Sequence, residues 1–68
     1  MFTRELRQAG HVRRFTIRDA GHGWEVQEEQ DSRVVRHVRY NDWHRVERAQ
    51  LVMEQQVREL EDRGWRPA

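Results

Sequence analysis

The stretch HVRRFTIRDAGHGWEVQEEQDSRVVRHVRY, His11 to Tyr40, decides the fold, because apolar and polar residues alternate along it in three separate runs. From His11 to Arg18, Phe15 and Ile17 point one way while Arg14, Thr16 and Arg18 point the other. From Trp24 to Gln30, Trp24 and Val26 oppose Glu25, Gln27 and Glu29. From Val34 to Tyr40, Val34, Val38 and Tyr40 share a face with Arg36. A period of two marks a half-buried strand. Asp19-Ala-Gly-His-Gly23 and Asp31-Ser-Arg33 supply turn residues between the runs. Three antiparallel strands, about 11–18, 24–30 and 34–40, are therefore predicted.

The same pattern sets the register, since a slip of one residue exchanges the two faces. A two-residue loop at Asp31-Ser32 would set Trp24 against Arg39 and Val26 against His37. A three-residue loop instead pairs Trp24 with Tyr40, Val26 with Val38 and Glu28 with Arg36, and it is preferred. Glu28 and Arg36 then read as an ion pair near the sheet's edge. If Arg18 pairs with Glu25, the outer face carries the rows Arg18–Glu25–Arg39 and Thr16–Gln27–His37. Cross-strand pairs of opposite charge contribute roughly 0.2–1 kcal/mol each.

That outer face follows from the charge distribution along the chain. Residues 1–18 carry five Arg and one Glu, residues 19–32 carry five acids and no base, and residues 33–48 carry five Arg against two acids. The net charge is only +1, because a basic, an acidic and a second basic segment cancel. All thirteen basic residues are Arg, a choice that suits bidentate recognition of carboxylate or phosphate and equally reflects codon bias.

From Asn41-Asp42 the period changes to 3.6, and either residue can cap a helix. Trp43, Val46, Ala49, Met53, Val57 and Leu60 fall in one apolar arc. Gly64 suits the left-handed position just past a helix end, with Trp65 packing back on Leu60. A helix over about 42–63 is predicted, lying across one face of the sheet. Residues 1–10 remain open, because Phe2, Leu6 and Ala9 fit either a helical turn or a short strand. The fold class is α+β, a three-stranded antiparallel meander with one long C-terminal helix, in a single domain over residues 1–68. Its expected core is Trp24, Val26, Val38, Tyr40, Val46, Met53, Val57 and Leu60.

A chain of 68 residues with 35% hydrophobic and 37% charged residues is short of core. Such a domain buries only about 60% of the surface its unfolded chain exposes. There is no cysteine to add disulfides or thiolate metal sites. A second copy of the chain is the simplest remaining source of stability. By steps of 100° per residue, Val52 lies roughly 100° from the centre of the core stripe and Leu51 roughly 150°. These two residues are the candidate oligomer interface of a homodimer or higher assembly, against the plainer reading of scattered surface apolars.

Little in the chain points to chemistry. His11, His22, His37 and His44 lie in different elements without the spacing of metal ligands. Adjacent Glu28 and Glu29 point to opposite faces of a strand. Ser32 is the only serine, and Gly21-His-Gly23 is too short for a phosphate loop. The expectation is a non-catalytic interaction module, without metal or cofactor, that self-associates and binds a protein partner. The alternative is a nucleic-acid-binding regulator using Arg14, Arg18, Arg36 and Arg39 of the sheet. No apolar run reaches the ~20 residues of a membrane span, and no signal-peptide pattern is visible, so a cytoplasmic protein without membrane contact is expected.

Overall fold

A computed structural model describes residues 2–68. Met1 alone, part of the ambiguous N-terminal stretch, lies outside the described residues. The chain runs through β1 (Phe2–Gln8), β2 (His11–Asp19), β3 (Trp24–Gln30), β4 (Arg33–Tyr40), α1 (Trp43–Asp62) and β5 (Arg66–Pro67). The class is α+β, but the sheet has five strands in the order β4-β3-β2-β1-β5, not three. Each neighbouring pair is antiparallel.

The N-terminal stretch is a strand. Ala9 and Gly10 both take positive φ (50° and 80°), as a tight two-residue hairpin turn of this hand requires, and Gln8 then pairs with His11. At the other end of the chain, Ala68 and β5 return to β1, pairing Leu6 with Pro67 and Arg7 with Arg66. The edge of β1 is thereby partly covered, while that of β4 stays open over its whole length.

The β3–β4 register is the one the sequence pattern predicts: Trp24 faces Tyr40, Val26 faces Val38 and Glu28 faces Arg36. It is reached by a different route. Asp31 and Ser32 form a two-residue turn at positive φ (52° and 67°). The pairing then shifts between Glu28 and Glu29, leaving Val35 without a partner as a bulge. One extra residue in the strand does the work of one extra residue in the loop. Arg18 pairs with Glu25, as expected for the first hairpin. Gly23 is needed there for space, because a Cβ on it would stand 2.6 Å from the Tyr40 carbonyl oxygen.

Helix α1 matches its prediction closely. The Asp42 carboxylate accepts from the His44 N–H at 2.9 Å, closing the N-terminus. At the other end Trp65 N–H donates to Leu60 C=O and Gly64 N–H to Glu61 C=O, both at 3.0 Å, with Gly64 at φ 98°. This pair of bonds satisfies two of the last carbonyls and turns Trp65 back onto the core.

The core is Phe2, Leu6, Phe15, Ile17 and Val26 from the sheet with Val46, Met53, Val57 and Leu60 from α1. Four of these sheet residues were not in the expected centre. With β1 added, β2 rather than β3 becomes the middle strand, so Phe15 and Ile17 are fully buried. Trp24 and Tyr40 are only partly buried at the rim, as is Val38. Trp43 is exposed as well, its ring tilted against that of Trp24 at 5.3 Å between centroids.

Candidate interaction surface

The two faces of the sheet differ in kind. On the open face, Glu5, Arg14, Thr16, Arg18, Glu25, Gln27, His37 and Arg39 stand in cross-strand rows. Glu25 lies in the end row between Arg18 and Arg39, and accepts from His37 Nε2 at 2.9 Å and from Arg18 at 3.3 Å. Arg39 occupies the expected row opposite Glu25, but its guanidinium reaches the Ala20 carbonyl at 3.4 Å. Arg14 lies 4.0 Å from Glu5. The bond to His37 first, and that to Arg18 next, hold the Glu25 carboxyl below its ordinary value. At the turn end, the Asp31 carboxylate accepts the Val12 N–H at 2.8 Å and meets His11 Nδ1 at 2.9 Å, which lowers its pKa by the same logic.

Both depressed carboxyls favour the folded state only when ionised. Their contribution is complete above the ordinary values of 4.5 and 3.8 and is lost as pH falls through the lower folded values. The melting temperature should therefore fall in acid, and Asp31→Ala and Glu25→Gln should each flatten that acid limb. Limbs as steep as that of the unmodified chain would show that these contacts do not stabilise the fold.

The four arginines suggested for nucleic acid do not share a face. Arg14, Arg18 and Arg39 are on the open face, while Arg36 shares the helix side with Val26 and Glu28. Phe2, Phe15, Trp24 and Tyr40, the aromatics of the described strands, all lie on the helix side. The open face offers charge without a stacking platform.

On the helix side, α1 runs diagonally. Its start lies beside Trp24, and its end lies over the β1–β2 turn, where Gln8 donates to the Arg63 carbonyl at 2.8 Å. A corner of β3 and β4 is left uncovered. There a groove of about 420 Å³ opens, with Val26, Tyr40, Ala49, Val52 and Met53 as its apolar lining. Arg36, Arg45, Arg48, Glu28 and Gln56 supply its polar atoms. Glu28 is buried and is held by Arg13 of β2 at 2.6 Å, not by Arg36 opposite it as expected. Arg13 sits diagonally across the strand pair, within reach of a long side chain. Among the described residues Arg36, Arg45 and Arg48 have no carboxylate within 4.0 Å.

Leu51 and Val52 are both exposed, by 66% and 46%. Val52 turns toward β4 and walls the groove, while Leu51 stands farther round the helix between the turns of Glu47-Arg48 and Glu54-Gln55. Val34 and Val35 at the bulge are half exposed too; Val34, expected to share the face of Val38 and Tyr40, is instead paired with Glu29, because the bulge shifts the register there. The signal was present: two adjacent valines break the alternation of β4. His44 lies 3.6 Å from Glu47, and no three His, Cys, Asp or Glu side chains converge as metal ligands would among the described residues. No described helix is long and apolar enough to cross a membrane. Comparison with family models, with curated proteins and with solved structures gives no match.

Proposed function

We propose that this chain is a non-catalytic interaction module that self-associates through the Leu51–Val52 flank of α1 and presents the neighbouring groove to a protein partner. The observation that carries the reading is Leu51, 66% exposed in the middle of a twenty-residue helix with Val52 beside it. The surface as a whole supports it. A monomer of 8.4 kDa is expected to expose about 4,600 Å², whereas this chain exposes 5042 Å² over an elongated shape of 38 × 21 × 16 Å. Two copies related by a two-fold axis at Leu51–Val52 bury the same patch twice.

Sedimentation velocity tests this reading. The unmodified chain should gain mass with concentration, and its melting temperature should rise in parallel. Leu51→Glu with Val52→Arg should sediment as a monomer that keeps its helical circular dichroism. A folded monomer at micromolar concentration for the unmodified chain would overturn the proposal. The nucleic-acid reading has Arg14, Arg18 and Arg39 on one face in its favour. It predicts oligonucleotide binding that weakens steeply with salt, a result that would displace the protein-partner reading.

A further inference from the structure

We infer that the open edge of β4 and the groove beside it form a docking site for an extended acidic peptide segment, added to the sheet as a further strand. This deepens the interaction-module reading by naming the chemistry of the partner. An edge strand offers unpaired N–H and C=O groups to any chain that approaches it, and β4, eight residues long and bonded to β3 on its inner side, turns those of every second residue outward. Such addition takes affinity from main-chain bonds and specificity from the pockets that alternate side chains enter.

Charge selects the occupant. Arg33, Arg36 and Arg39 lie along β4, and Arg45 and Arg48 line the groove above it; none has a carboxylate within 4.0 Å among the described residues. Glu28, in the same groove, is engaged by Arg13, Asp42 caps the helix, and Glu25 is held by His37 and Arg18. On its inner side β4 already pairs with an acidic strand, Trp24–Gln30, so the open side repeats a preference the fold itself demonstrates. A second copy of β4 is the wrong occupant. Two-fold pairing centred on Arg36 would set that residue against its own copy and Arg33 against Arg39, and like charges placed opposite one another repel.

The register states the motif. In an antiparallel added strand the residues facing Arg39, Val38, His37 and Arg36 follow in that order. Those facing Val38 and Arg36 point to the helix side. The fitting sequence is acid, bulky apolar, any residue, acid. The apolar side chain enters the groove floored by Val26 and Met53, whose 420 Å³ falls within the range of ligand sites. The second acid meets Arg36, Arg45 and Arg48.

The test is a titration of the full chain, followed by amide NMR, with a capped peptide of core Glu-Leu-Thr-Glu and a control of core Arg-Leu-Thr-Arg. The acidic peptide should shift amides of Arg36–Tyr40 and of α1 from Arg45 to Gln56, and its affinity should fall with salt. Arg36→Glu with Arg45→Glu should weaken it by at least about tenfold, since a close like-charge contact costs more than that factor. Leu51→Glu should leave binding intact, because Leu51 does not line the groove. Equal binding of both peptides, shifts confined to the open face, or no binding at millimolar peptide would overturn the inference. A monomeric chain that binds the acidic peptide would remove self-association and leave this site standing. A dimer indifferent to the peptide would do the reverse.

Discussion

Phe15→Ala is expected to destabilise the fold by about 3–5 kcal/mol, the usual cost of emptying a fully buried aromatic site. Phe15 has no exposed surface and stands in the middle strand. The cavity would be walled by strand backbone on both sides and by α1 above, none of which can collapse freely. A domain of this length holds only about 3–10 kcal/mol in total. The variant should therefore be largely unfolded at room temperature or melt tens of degrees lower. Circular dichroism melting measures this. A shift of only a few degrees would mean that β2 is not the centre of the sheet.

Arg13→Leu is expected to cost about 2–3 kcal/mol, somewhat below the figure for a fully buried ion pair because Arg13 keeps 24% of its side-chain exposure. Removing it leaves the Glu28 carboxylate nearly enclosed beside Val26 and Phe15 without its short bond. The guanidinium also lies 5.6 Å over the Phe15 ring, and the same substitution abolishes that cation–π attraction. Adding Glu28→Leu should restore most of the stability, since two apolar groups replace a charge pair without leaving an orphan. Urea denaturation of the four species closes the cycle. Additive losses would show that the two side chains do not depend on each other.

Helix α1 and the β3–β4 register were legible because each is fixed by local rules: a cap at Asp42, a glycine stop at Gly64, and a period of two that tolerates only one pairing. Strand β1 was ambiguous for a physical reason. Arg4 occupies an inward register position opposite Phe15, so the alternation of Phe2 and Leu6 is broken. The side chain escapes to solvent over the Phe2 ring at 5.0 Å. Missing β1 displaced the centre of the sheet by one strand, and with it Phe15 and Ile17. The Glu28–Arg36 expectation failed because β3 has two neighbours, and Arg13 on the diagonal of β2 takes the carboxylate that Arg36 was expected to hold. Leu51 and Val52 were legible as exposed apolars from helical geometry. The groove was not, since it exists only because α1 crosses the sheet at an angle.

Under the proposed self-association, the α1 flank, and not the charged open face, should be where two copies of this chain meet. Amide NMR spectra recorded on dilution from millimolar to micromolar concentration test it residue by residue. Concentration-dependent shifts should be confined to the helix around Arg48, Leu51, Val52 and Gln55, with Thr16, Gln27 and His37 unmoved. Shifts on those three strand residues, or a spectrum unchanged by dilution with the mass of a single chain throughout, would contradict it.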